Sequence, residues 1–244
     1  MEEDVIIVSH LQKIFRIPHE KRNTFFESFI SIFNKNGHEE FVALKNINFV
    51  VKKGDAVGII GENGSGKSTL LKIIANILRP SSGSVKINGK ITSFLELGVG
   101  FQQDLTAKEN IYLYGAIMGL SDKEIDYKID EIFNFSELKR FEDTKLKNFS
   151  SGMQIRLAFA TAIQTNPEIL LLDEVLAVGD MGFQQKCLDI FKRYIKEKKT
   201  ILFVSHSMDI IGQFCNKALL LRHGDQIAFG NTKEIIDKYI QNMR

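Results

Sequence analysis

Nine consecutive residues, Gly61-Glu62-Asn63-Gly64-Ser65-Gly66-Lys67-Ser68-Thr69, fit the pattern G-x-x-x-x-G-K-[ST]. Glycines at this spacing let successive backbone N–H groups turn inward onto phosphate oxygens, and a helix opening there adds its dipole. Lys67 then reaches the β- and γ-phosphates, and the Ser68 hydroxyl can ligate Mg²⁺. A second constellation, Ile169-Leu170-Leu171-Leu172-Asp173-Glu174, reads as a buried strand ending in two acids, at the edge where parallel sheets bind ligands. Asp173 would hold Mg²⁺, directly or through water, and Glu174 would orient and deprotonate an attacking water, since phosphoryl transfer needs positioning and charge compensation more than covalent help. Taken alone, the two acids are equally a capped strand end with solvated carboxylates. A third stretch, Phe149-Ser150-Ser151-Gly152-Met153-Gln154, opens an amphipathic helix predicted to reach about Gln164. On its own residues Ser150 is a helix N-cap.

The elements that must position these groups follow from the apolar pattern. Runs rich in Val, Ile and Phe at 5–8, 47–51, 56–60, 85–87, 91–95, 169–172, 201–204, 218–221 and 227–229 predict strands that alternate with helices, an α/β arrangement that is partly parallel. The runs 169–172 and 201–204 are apolar without alternation, as central parallel strands covered on both faces must be. The phosphate-loop helix is expected to run to about Leu78, and residues from about 105 to 149 read almost wholly helical, as a subdomain set into the α/β core. A chain of 244 residues with 44% hydrophobic and 25% charged residues buries an ordinary globular core. A formal charge of +2, spread along the chain, leaves no nucleic-acid footprint. The longest stretch without a charged residue, 110–121, is too short and too polar to span a bilayer. The acidic start Met1-Glu2-Glu3-Asp4 is unlike a secretory signal, so a cytoplasmic chain is expected. Cys187 and Cys215 lack C-x-x-C spacing and read as small buried hydrophobes.

With these motifs in this order, the chain resembles the ATP-binding subunits of ABC transporters, whose signature L-S-G-G-Q occupies the place of Phe149–Met153. Ser150 and Gly152 are kept, while Phe149, Ser151 and Met153 depart from the pattern. The resemblance implies a P-loop NTPase core of ABC type with an antiparallel β subdomain and an inserted helical subdomain at about 105–165, forming one nucleotide-binding domain over 1–244. It also implies that ATP and Mg²⁺ are bound. Gln102, with Gln103 as the alternative, takes the glutamine-loop position that meets metal and water. Asp180 takes the D-loop position, His206 that of a γ-phosphate contact, and Phe15 that of the aromatic on which adenine stacks. Asn63, Gly64, Ser65, Gly66 and Thr69 join Gly61, Lys67 and Ser68 around the phosphates. Ser150 and Gly152 meet the γ-phosphate bound by a second copy, which makes the working unit a homodimer.

Three segments are similar to one branch, the ATPases that export O antigen, capsule or teichoic acid: Leu95–Phe101 running into Glu109–Leu113, the modified signature, and Asp173–Asp180 followed by Phe183–Cys187, with Val175 and Leu176 where most relatives have Pro-Thr. That branch implies a lipid-linked glycan as cargo, an integral membrane permease as partner, and a peripheral place on the cytoplasmic face of a bacterial plasma membrane. Only residues 207–244 follow His206, so the C-terminal carbohydrate-binding domain of some members is not expected. Between about 16 and 43 lies an insert in which Thr24–Asn34 places all its apolar residues, four of them Phe, within about 160° of a helical wheel. It fits either a docking surface for the permease or packing on its own domain. Two rivals are set against the export reading. A GTPase would want N-K-x-D, and Asn216-Lys217-Ala218-Leu219 lacks the Asp; a regulatory ABC ATPase would share every nucleotide residue named above.

Overall fold

The computed structural model describes residues 3–18, 38–95, 97–173, 180–205 and 207–242. First come β1 (Asp4–Pro18), β2 (His38–Lys52), β3 (Ala56–Ile60), α1 (Lys67–Ile74), β4 (Ser82–Ile87) and β5 (Ile91–Ser93). Three helices follow with no strand between them: α2 (Ala107–Ile117), α3 (Asp122–Ser136) and α4 (Ser151–Ala162). Then come β6 (Ile169–Asp173), α5 (Met181–Lys196), β7 (Thr200–Val204), α6 (Met208–Phe214), β8 (Lys217–Arg222), β9 (Asp225–Asn231) and α7 (Thr232–Asn242). Each strand signal in the sequence becomes a strand. Among the described residues no helix is long and apolar enough to cross a membrane.

The strands form one mixed sheet in the order β4-β1-β2-β9-β8-β3-β7-β6-β5. From β8 to β5 all neighbours are parallel, whereas β1 pairs antiparallel with both β2 and β4, and β9 with β8. Side chains along a strand point alternately to its two faces, and here both faces are covered. In β6, Leu170 and Leu172 enter the core shared with α4 and α5, while Ile169 and Leu171 enter the core shared with α1; β7 divides in the same way, with Ile201 and Phe203 opposed to Leu202 and Val204. That is why these runs are apolar without alternation. A third cluster, including Ile111, Ile125, Phe133, Leu146 and Leu157, binds α2, α3 and α4 to one another. Capping boxes fix two of the helix starts: Thr106 and Glu109 for α2, Ser121 and Glu124 for α3.

The structure departs from the sequence reading at the end of α1 and in the lengths of β1 and β2. Helix α1 stops at Ile74, short of Leu78, because Asn76 adopts a left-handed φ of 59° that ends the hydrogen-bonded spiral. Strands β1 and β2 are far longer than the runs at 5–8 and 47–51, and their pairing continues through Arg16↔Glu40 and Ile17↔Glu39. The ends of the expected 16–43 insert are therefore strand. Its helix at 24–34 lies outside the described residues.

At the end of the sheet remote from the phosphate loop, the dipeptide Asn216-Lys217 has a structural use. Asp55, buried just before β3, accepts hydrogen bonds from Asn216 Nδ2 at 2.9 Å, Lys217 Nζ at 2.7 Å and the Lys52 N–H at 2.8 Å. Burial pushes its carboxyl up, but these donors outweigh burial and hold its pKa below the ordinary aspartate value. A depressed folded pKa contributes stability above the unfolded value and loses it as pH falls through the folded one. Asp55→Asn should thus destabilise the protein by about 1–3 kcal/mol at pH 7. The gap to wild type should narrow below about pH 4, as measured by urea unfolding across pH.

Candidate functional site

Strand β3, buried along its whole length, delivers the chain to Gly61 at the edge of the parallel sheet. Gly61 has φ 148°, and a Cβ there would stand 2.2 Å from the Leu221 carbonyl oxygen of β8. Gly66, the N-cap of α1, has φ 105°, and a Cβ there would lie 2.7 Å from the Ala43 oxygen of β2. No other residue type fits either position without moving a strand. The Gly224 N–H, in the turn between β8 and β9, donates to the Ser65 carbonyl at 3.1 Å and holds the loop from below. Lys67 Nζ folds back over the loop, donating to the carbonyls of Gly61 and Glu62 at 2.8 Å each. Ser65 Oγ is buried and has no hydrogen-bond partner among the described residues. An orphaned buried hydroxyl beside a helix start lacks only an acceptor, and a phosphate oxygen supplies one.

The loop opens onto a cleft of about 520 Å³, which Asn63, Gly64, Gly66, Lys67, Ser68 and Thr69 line from below. Asp173, half-buried at the end of β6, and Val204, the last residue of β7, form another wall. The Ser68 hydroxyl and the Asp173 carboxylate thus share one space. That oxygen pair suits a hard divalent cation that keeps its waters and phosphate ligands. Glu174 and His206, which directly follow or nearly follow these walls in sequence, lie outside the described residues.

The remaining expected residues are placed elsewhere. Ser150 caps α4, its Oγ accepting from the Met153 N–H at 3.2 Å, and Gly152 leaves the helix start open, with only Ser150 Oγ within 4 Å of an added Cβ. Neither lines the cleft of its own chain. Asp180 caps α5, accepting from the Phe183 N–H at 2.9 Å; that hydrogen bond, aided by the Arg156 charge, holds its carboxyl below the usual aspartate range against the effect of burial. Gln102 and Gln103 are exposed outside the cleft. The side chain of Gln103 reaches Gln154 of α4 at 3.5 Å, and that of Gln102 donates to the Gly100 carbonyl at 3.5 Å. Burial pushes both cysteine thiols up to about 12, so neither supplies a thiolate nucleophile at neutral pH.

Two residues carry more of the site than their sequence signals indicated. Asn110, fully buried, accepts from the Gln102 N–H at 2.7 Å and donates to the carbonyls of Gln102, Leu105 and Thr106. It fixes the backbone of the glutamine segment. Phe41 lines the cleft with half its surface exposed, while Phe15, directly opposite on β1, does not line it and lies instead under Lys13 Nζ at 4.9 Å. Phe41 and Ala43 alternate onto the cleft face of β2, a signal readable only once β2 is known to start at His38.

The ABC transporter family profile matches residues 44–177, from within β2 to the segment after Asp173. The chain belongs to the ABC transporter family. It is 42% identical over 204 residues to the O-antigen export system ATP-binding protein RfbB of Klebsiella pneumoniae, covering 84% of this chain and 83% of that one. It is 41% identical over 95% of its length to the teichoic acids export ATP-binding protein TagH of Bacillus anthracis, and spans 41% of that longer protein. Among solved structures, the dimeric post-hydrolysis state of the ATP-binding cassette MJ0796 bound to ADP and Pi superposes over 93% of the chain with a TM-score of 0.72 and 26% identity. The protein is an ABC ATPase that binds and hydrolyses ATP. A flat ring on Phe41 should add an aromatic contact of about 1 kcal/mol. Phe41→Ala should therefore weaken ATP binding several-fold while Phe41→Trp preserves it, as titration with a fluorescent ATP analogue will show; equal affinities for all three would reduce Phe41 to a bystander.

Proposed function

We propose that this chain is the motor subunit of an exporter that moves a lipid-linked cell-surface polysaccharide, O antigen, capsule or teichoic acid, across the bacterial plasma membrane. It works from the cytoplasmic face as a homodimer joined to an integral membrane permease. The relatives named for O-antigen and teichoic acid export support the cargo class and the need for a permease. One observation carries the dimer: the phosphate cleft and the Ser150–Gly152 helix start are both built to meet anionic oxygen, yet one chain does not bring them together. Each ATP then lies between the loop of one copy and the signature of the other. Contacts made by both halves only when closed supply the differential affinity that a conformational cycle needs.

In this reading the backbone N–H groups of residues 61–69 and Lys67 hold the triphosphate, with adenine against Phe41 on the cleft wall, beside Phe15 on the neighbouring strand. Ser68 and Asp173, aided by Gln102, would hold Mg²⁺, which would supply charge neutralisation at the phosphates. Glu174 takes a proton from water as its oxygen bonds to the γ-phosphorus and the bond to the β–γ bridging oxygen breaks. His206 and the partner copy's Ser150 and Gly152 hold the γ-phosphate oxygens, and Asp180 lies at the seam between the copies.

Glu174→Gln should lower ATP turnover by roughly 100- to 10,000-fold, the range for loss of a general base. In the native host, deletion should leave finished lipid-linked glycan inside the cell and deplete it from the surface, with rescue by wild type and none by Glu174→Gln. Unchanged glycan beside a different envelope defect would replace export with regulatory signalling through a membrane protein.

A further inference from the structure

We infer that Arg156 is a positioning residue that ties the signature helix α4 to Asp180 at the start of α5, so that ATP held at one composite site is felt at the other. The inference rests on the paired-site reading above. Arg156 lies six residues beyond Ser150 on the same helix, about 9 Å along its axis. Its side chain is only 20% exposed, and its guanidinium is engaged on three sides. One nitrogen meets Glu137 Oε2 at 3.3 Å, the other meets Asp180 Oδ2, and Cζ lies 5.4 Å from the Phe183 ring centroid.

The partners of Arg156 are themselves fixed. Asp180 spends its other oxygen on the Phe183 N–H as the cap of α5. Glu137, at the end of α3 with φ 62°, gives its second oxygen to Lys186 of α5. Beneath this charge group the rings of Phe135, Phe159 and Phe183, one from each of the three helices, pack with centroids 5.6–6.0 Å apart. Exposed ion pairs contribute little stability, but a planar guanidinium fork fixes angles that a point charge does not. Any rotation of α4 that follows γ-phosphate contact at Ser150 must therefore either carry Asp180 with it or break the fork. In the dimer, Ser150 of one copy touches ATP on the partner's loop, whereas Asp180 of that same copy follows its own Asp173 strand. Arg156, on the helix that Ser150 caps, joins the two through its ion pair with Asp180.

The test uses the purified full chain with Arg156→Ala, Arg156→Lys and Glu137→Gln, measuring turnover against ATP concentration and, separately, equilibrium binding of a fluorescent ATP analogue. Wild type should show a Hill coefficient approaching two, the number of sites. Arg156→Ala should bring it to about one and lower kcat roughly 10- to 100-fold, the scale of small misplacements remote from the chemistry, while ATP affinity changes less than about twofold. Arg156→Lys should restore kcat only in part, and Glu137→Gln should fall between Lys and wild type. If Arg156→Ala fails to fold, the other two variants carry the same comparison. Wild-type cooperativity retained in the variants, or turnover lost only in step with ATP affinity and Tm, overturns the inference. A Hill coefficient of one in wild type overturns the paired-site reading beneath it.

Discussion

Only glycine adopts the backbone that Gly61 and Gly66 take against neighbouring strands, and holding the loop after β3 in that shape is the constraint on which the rest of this fold depends. Two strands and a turn remote in sequence press on the loop: β8 through the Leu221 carbonyl under Gly61, β2 through the Ala43 carbonyl against Gly66, and the β8–β9 turn through the Gly224 N–H on Ser65. Lys45 of β2 in turn donates its N–H to the Gly224 carbonyl. The antiparallel strands thus brace a site whose motif lies wholly in the parallel part of the sheet. The orphaned Ser65 hydroxyl is the visible remainder of that arrangement.

The same constraint separates the phosphate loop from the helix start proposed to complete its site. The phosphate loop belongs to the sheet, whereas Ser150 and Gly152 belong to a helical layer with its own apolar cluster of α2, α3 and α4. That layer meets the sheet through aromatic contacts such as Phe94 with Phe159, at 5.4 Å, and meets α5 through the charge group around Arg156. Because the cleft and the Ser150–Gly152 helix start belong to separate parts of one chain, the proposed site needs a second copy to bring them together.

Much of this was legible in the residues. The glycine spacing at 61–66 specifies a phosphate loop because few backbones other than glycine tolerate its φ values, and unalternating runs such as Leu170–Leu172 specify strands covered on both faces. What escaped the sequence depends on partners far apart along the chain. Nothing in Phe41 alone marks it as a cleft wall, since its role comes from an antiparallel pairing with Phe15 across residues 16–40. Asn110 looks like an ordinary helix residue until its side chain is seen closing on the Gln102 backbone. The end of α1 at Asn76 turns on a left-handed conformation that apolar periodicity does not report, and the Arg156 group joins residues 19 to 49 positions apart.

Complementation between two inactive variants tests the shared site most directly. Lys67→Ala removes the loop lysine, and Ser150→Arg blocks the signature helix start, so each variant alone leaves both sites of a homodimer defective. In a mixed dimer, one site pairs the intact loop of one copy with the intact signature of the other. ATP turnover should therefore reappear when the two purified variants are mixed, in proportion to the mixed species formed. A mixture that remains as inactive as its components, although mixed dimers form and the Ser150→Arg copy binds ATP, would contradict a site built from two chains.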